Sequence, residues 1–356
     1  MSNVAFYAPL KSPNHDTPSG DREIARSLML ALRQAGIEPN LVSELRSFEK
    51  AGDARAQNAL MSQANAEIPD IIKRGRAEKW SAWVTYHNYY KAPDLLGPTI
   101  ADALSIPYVQ IESTRARKRL NGPWAQFAEI AEHAAHRADV IFYFTQRDSV
   151  ALKDYAPVGQ CLIHLHPFLP WSELPAPSSR TGGILTAAMM RPGDKFDSYR
   201  LIAKTLMKTQ GDWTLNIAGD GAARPEVEAL MAPFSNRVRF LGLLDADGMS
   251  RAYQTASLLF WPGVNEAIGM IYLEAQARGI PVLAQDRPGL IDVLDPRGIY
   301  PKPADGTQAL ALQLKTLLHH PPQSEPIRQH IADHHLLGAA ARTLGTGIGS
   351  LITRPT

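Results

Sequence analysis

The stretch Phe260–Ala284, FWPGVNEAIGMIYLEAQARGIPVLA, decides how this chain is read. An apolar run, Leu258–Trp261, stops at Pro262-Gly263, and a second one, Pro281–Ala284, follows Gly279. Between them the pattern is helical, so the order is strand, turn, helix, strand. Glu266 sits at the helix mouth and Glu274 two turns deeper, with seven residues between them. The helical rise then puts the two carboxylates about 12 Å apart along the axis. That is too far to share a proton. It suits the two ends of one long ligand, such as a nucleotide-sugar, with the helix N-terminus facing a diphosphate between them.

The 356 residues suffice for two domains of ordinary size. With 45% apolar and 20% charged residues the composition is globular, and a net charge of +2 is too small for a general nucleic-acid binder. The single cysteine, Cys161, excludes an internal disulfide and a thiolate metal cage, and is read as a buried apolar residue. Met1–Val4 runs straight into the strand-like VAFYA, and no apolar segment approaches the length of a bilayer span. A soluble, cytoplasmic protein is expected.

Short apolar runs alternate with longer helical patterns throughout. Strands are expected at Val4–Ala8, Pro39–Val42, Ala82–Tyr86, Pro107–Ile111, Val140–Phe144 and Cys161–Leu165. Helical patterns lie between, at Arg22–Ala35, Arg55–Lys79 and Trp124–His136. Pro167, Pro170, Pro175 and Pro177 then break the pattern, since proline at this density fits neither a helix interior nor a central strand. The alternation resumes with strands at Gly183–Ala188, Trp213–Ala218, Val238–Leu241, Ser257–Trp261, Pro281–Ala284 and Gly298–Tyr300. The fold class is therefore α/β, with two Rossmann-like parallel-sheet domains facing across a cleft. Their expected bounds are 1–166, a linker at 167–180, and 181–336, with a C-terminal helix at 337–356 completing the first domain.

Four patches of the second half fall just after expected strands. Arg191 and Lys195 flank a Pro-Gly turn and can clamp a diphosphate, although a solvated turn explains them too. Gly219-Asp220-Gly221 lacks the third glycine of a dinucleotide fingerprint, and by itself fits a tight turn. In FLGLL, Gly242, followed by Leu243, permits a planar base to approach the backbone. In Asn265–Met270, Gly269 lets a ligand reach the first helical turn, beside Ala267, Ile268 and Met270.

Together these residues resemble the nucleotide-sugar domain of retaining glycosyltransferases of the two-Rossmann (GT-B) fold, the large group 1 family that includes sucrose synthase and mannosyltransferases. The resemblance covers about Ile184–Leu294, and more loosely the whole chain. Its most specific element is the E-x7-E signature, Glu266 to Glu274, followed by AQARGIPVLA. It implies that Glu274 takes the ribose hydroxyls, that Glu266 lies at the sugar end, and that Arg191 and Lys195 meet the diphosphate. The family places Gly after the Lys and an aromatic in E-G-F-G, where this chain has Phe196 and Ala267-Ile268-Gly269. The implied activity is transfer of a hexose from a nucleotide diphosphate sugar with retention, needing no metal and no cofactor.

The resemblance further implies that the first half holds the acceptor: a sugar, a glycan or a lipid-linked molecule. Gly20 matches a glycine that approaches the donor phosphates, with N-capping by Ser19 or Asp21 as the plain structural reading. His87 follows an expected strand, and is either a hydroxyl contact or a satisfied loop histidine. Where family members carry a histidine after the strand at Pro107–Ile111, this chain has Glu112-Ser113-Thr114, which makes Glu112 and Ser113 candidates for the sugar contact. The run Arg115, Arg117, Lys118, Arg119 suits an acidic acceptor or peripheral contact with an anionic inner membrane face, and equally a solvated helix start. His330, His334 and His335 lack a ligand set for a metal. A hydrolysing nucleotide-sugar epimerase and a non-catalytic sugar-nucleotide-binding subunit remain the alternatives.

Overall fold

Each apolar run of the first half becomes a parallel strand because helices cover it, and side chains on both faces can then be apolar. A computed structural model describes residues 2–17 and 19–352. Two compact units result, one running to His166 and resuming at Leu337, the other spanning Pro167–Leu336.

In the first unit the strands are β1 (Ser2–Tyr7), β2 (Ile37–Leu41), β3 (Trp83–Asn88), β4 (Tyr108–Ser113), β5 (Val140–Tyr143) and β6 (Cys161–His164). The helices between them are α1 (Gly20–Gln34), α2 (Ala54–Glu78), α3 (Gly97–Leu104), α4 (Ala125–Arg137) and α5 (Gln146–Asp154). The sheet order is β2-β1-β3-β4-β5-β6, with every pair parallel. Helix α1 shows why these segments form. The hydroxyl of Ser19 accepts the N–H of Arg22 at 3.3 Å, Asp21 and Glu23 lie in the first turn, and Arg33 closes the last. Ala25, Leu28, Ala31 and Leu32 then form its buried stripe.

The second unit has strands β7 (Ile184–Ala187), β8 (Leu215–Ala218), β9 (Val238–Gly242), β10 (Leu258–Phe260) and β11 (Val282–Leu283). Its helices are α6 (Asp194–Leu206), α7 (Arg224–Met231), α8 (Ala246–Thr255), α9 (Met270–Ala277), α10 (Gly306–His319) and α11 (Ser324–His334). The order β11-β10-β7-β8-β9 is again all parallel. The chain then returns to the first unit in α12 (Leu337–Ile352), which packs on α1; Gly347 lets Phe142 and Ile163 close in where a Cβ would stand only 2.6 Å from the Phe142 ring. No helix among the described residues is long and apolar enough to cross a membrane.

Three expectations are corrected. Gly298–Tyr300 forms no strand; Asp286 N–H donates to Pro301 O at 2.9 Å and Gly298 N–H to Asp295 O at 2.9 Å where a ladder was expected. Cys161 is exposed, because it opens β6, the outermost strand of its sheet. Glu266 lies outside the helix, which starts at Met270, so a helical rise does not measure its separation from Glu274. The last residues of the tail helix expected at 337–356, residues 353–356, lie outside the described residues.

Gly219 has a specific packing duty. It holds a φ of +135°, its N–H donates to Gly242 O at 2.7 Å, and a Cβ there would fall 2.0 Å from Ala188 O. Its missing side chain thus lets the loops after β7, β8 and β9 lace together through backbone. Gly219→Ala is expected to cost about 1–3 kcal/mol in denaturant unfolding. Unchanged stability would show that the loop relaxes freely.

Candidate functional site

In doubly wound sheets ligands gather outside the carboxyl ends of the strands, at the point where strand order reverses. In the second unit that point lies between the hydrogen-bonded neighbours β7 and β10, and in the first between β1 and β3. Most of the candidate residues stand at these two places.

In the second unit, Gly193 turns the chain with φ +83° into α6, which puts Lys195 in its first turn. Lys195 Nζ donates to Glu266 Oε2 at 2.5 Å and lies 5.4 Å above the Trp261 ring. Trp261 Nε1 donates to the same oxygen at 3.2 Å. Two further bonds join the loop after β10 to α6: Asn265 Nδ2 to Asp194 Oδ1 at 2.9 Å, and Val264 N to Ser198 Oγ at 3.1 Å. Arg191 is exposed and makes no side-chain bond among the described residues. The clamp read from the sequence is thus asymmetric, with Lys195 fixed on Glu266 and Arg191 reaching into solvent.

Beside this pair opens α9. Gly269 is its N-cap at φ +69°, and no side chain caps the helix. Its first N–H groups and the helix dipole therefore offer an anion site next to Lys195. The freedom of Gly269 also has a local cause, since a Cβ would sit 2.5 Å from the Tyr272 ring. Ile268 and Met270 pack on the core, and the carbonyl of Ala267 abuts Gly289. Deeper in α9, Glu274 Oε2 accepts the hydroxyl of Tyr253 at 2.9 Å. Burial pushes the Glu274 carboxyl above its ordinary range, against the Tyr253 hydrogen bond and the charge of Arg278. Its other oxygen has no partner among the described residues. At the end of β9, a Cβ on Gly242 (φ +72°) would meet nothing within 4 Å, and Leu243 is 71% exposed. An open backbone edge beside an apolar side chain suits a planar group.

In the first unit, His87 and Glu112 are the penultimate residues of β3 and β4, inside the strands rather than after them. Both hold left-handed backbone, at φ +68° and +58°. Such strain is costly for residues with a Cβ. His87 Nδ1 stands 3.6 Å from Glu112 Oε2 and 3.7 Å from Asp21 Oδ1. Burial opposes charge on His87, yet the Glu112 and Asp21 carboxylates outweigh it and hold its pKa above the ordinary value. Burial likewise raises Glu112, and its partnership with His87 lowers Asp21. An NMR titration of His87 should therefore show a raised pKa that falls in Glu112→Gln. A pKa unmoved by that change would leave Glu112 out of the pairing.

Ser113 does not join this cluster. It is 1% exposed and its hydroxyl accepts from Asn88 Nδ2 at 3.3 Å, so its place is structural. Gly20 begins α1 behind the Ser19 cap and faces open space. The basic run is also divided, because Arg115 is buried in an ion pair with Glu132 at 3.1 Å. Asp21, Trp261 and Tyr253 were not read as site residues. Their signals existed (an acid at a helix start, a strand-end Trp, a helical Tyr), but each is the ordinary reading of its segment.

Residues 184–320 match the family model described as Glycosyl transferases group 1. Sulfoquinovosyl transferase SQD2 from Arabidopsis thaliana is 28% identical over 123 residues, which are 33% of this chain; the chain spans only 24% of that relative's length. Among solved structures, sucrose-phosphate synthase from Thermosynechococcus elongatus superposes with a TM-score of 0.68 at 15% identity, covering 99% of both chains. Anabaena HepE, solved with UDP and glucose, gives 0.67 at 14% identity over 99% of this chain and 100% of its own. The chain therefore has the two-Rossmann GT-B fold of these glycosyltransferases, and its second unit carries the segment that matches the glycosyl transferases group 1 family.

Proposed function

We propose that the chain is a retaining, metal-independent glycosyltransferase that moves a hexose from a nucleotide diphosphate sugar to an acceptor hydroxyl on a glycan, lipid or small molecule. The observation that carries this reading is the Lys195–Glu266 pair beside the uncapped N-terminus of α9, at the strand switch point. Charge grows on the departing diphosphate, and an ammonium with aligned N–H groups stabilises it more in the transition state than in the bound donor. Arg191, free in solvent, completes the clamp on the donor. Glu274 holds the ribose through its unbonded oxygen, the Gly242–Leu243 edge receives the base, and Glu266 meets the sugar. No enzyme nucleophile is nominated; the leaving-group oxygen takes the acceptor proton on the same face. In this reading 181–336 is the donor domain, 167–180 the linker, and 1–166 with the helix at 337–356 the acceptor domain, where His87 and Glu112 orient hydroxyls.

A screen of UDP- and GDP-sugars, with and without simple acceptors, tests the reading by release of nucleoside diphosphate and by label in product. Interconversion of sugar epimers without transfer would mark an epimerase. Nucleotide binding without any turnover would mark a non-catalytic subunit.

A further inference from the structure

A row of rings leads from His87 to a pair of cations that pair with no carboxylate among the described residues. The centroids of His87 and Tyr89 are 4.9 Å apart, those of Tyr89 and Tyr90 5.6 Å, and those of Tyr90 and Trp124 5.8 Å. Lys91 Nζ lies 5.8 Å from the Tyr90 ring and 5.1 Å from Trp124. Arg119 Cζ lies 5.2 and 5.3 Å from the same two rings. The sequence offers no Asp or Glu between residues 79 and 93 or between 113 and 128. Glu49, whose carbonyl accepts from Trp124 Nε1 at 3.4 Å, turns its carboxylate onto the N–H groups of Ala51, Gly52 and Asp53. Arg119 Nε is buried without a hydrogen-bond partner among the described residues.

Ring faces hold a cation in place without neutralising it, unlike a salt bridge. Two like charges held on the same pair of rings, with no carboxylate paired to either among the described residues, can be completed by an anion. A phosphate suits them best, because a guanidinium fork matches its oxygens and the ammonium adds a point charge. We propose that Lys91 and Arg119 bind the phosphate of a phosphorylated sugar acceptor, whose ring lies along Tyr89 and Tyr90 toward His87. The acceptor part of this proposal rests on the glycosyltransferase reading; the phosphate site does not.

The test titrates the full chain with glucose 6-phosphate, with glucose as control, and sediments it with vesicles of equal parts phosphatidylinositol and phosphatidylcholine against pure phosphatidylcholine. Binding of glucose 6-phosphate supports a soluble phosphorylated acceptor, and binding only to the phosphatidylinositol vesicles assigns the phosphate to a lipid headgroup. The double variant Lys91→Gln/Arg119→Gln should weaken the probe that binds by about tenfold or more, while Lys91→Arg with Arg119 unchanged, which keeps both charges and the guanidinium fork, keeps most of the affinity. UDP and GDP affinity, read in parallel, should stay unchanged in both variants. If neither probe binds, if glucose binds as well as its phosphate, or if the Gln variant binds like the parent, the proposal falls. If no nucleotide binds but the phosphate probe still depends on Lys91 and Arg119, the donor reading fails and the phosphate site stands.

Discussion

Lys195→Ala is expected to lower donor turnover by about 100-fold or more, with a much smaller rise in donor KM. The asymmetry follows from when the charge is needed. A bound donor already carries its diphosphate, but the extra negative charge appears only as the glycosidic bond breaks, and Lys195 stands beside the N-terminus of α9 where that charge would collect. Arg191→Ala should cost less, because its exposed side chain must first be ordered on the donor. Removing Lys195 also strips Glu266 of its ion pair, so thermal unfolding should be measured in the same variant. Parental turnover in a folded Lys195→Ala protein would place the clamp elsewhere.

Glu274→Gln should weaken nucleotide binding by about 1–3 kcal/mol, the worth of a hydrogen bond to a charged group. Stability should move the other way. Burial raises the folded-state pKa of Glu274, so its contribution to stability is fully present below the unfolded value and is lost as pH rises through the folded one. Above that folded value the carboxylate therefore costs stability. The Gln variant should melt higher there, and its advantage should vanish as pH falls below the usual carboxylate range. Weaker nucleotide binding with higher Tm would identify a buried charge kept for a ligand. Loss of both would reduce Glu274 to a structural partner of Tyr253.

Much of this was legible in the chain itself. Parallel strands buried on both faces read as short apolar runs, and covering helices announce themselves by caps such as Ser19 and stripes such as Leu28 and Leu32. Alternation of the two therefore implied two parallel-sheet units. Strand ends were read less well. His87 and Glu112 lie within β3 and β4, because strands ending in left-handed backbone carry no apolar signal there. The short strand expected at Gly298–Tyr300 failed because three residues give too little pattern to separate a ladder from an extended loop.

The sequence by itself determined the fold class and the residue types around Glu266 and Glu274, since hydrophobic period and turn chemistry are local. It was silent on pairing. Lys195 meets Glu266 across 71 positions because β7 and β10 are neighbours in the sheet, and His87 meets Asp21 because β1 and β3 are. Strand order is set by how helices pack on both faces of a sheet, which no local pattern encodes. Tertiary structure alone decided that Glu274 turns one oxygen to a buried tyrosine, that Ser113 faces inward, and that Lys91 and Arg119 share two rings. Those facts depend on where side chains point after the sheets close, and burial and charge take their values only there.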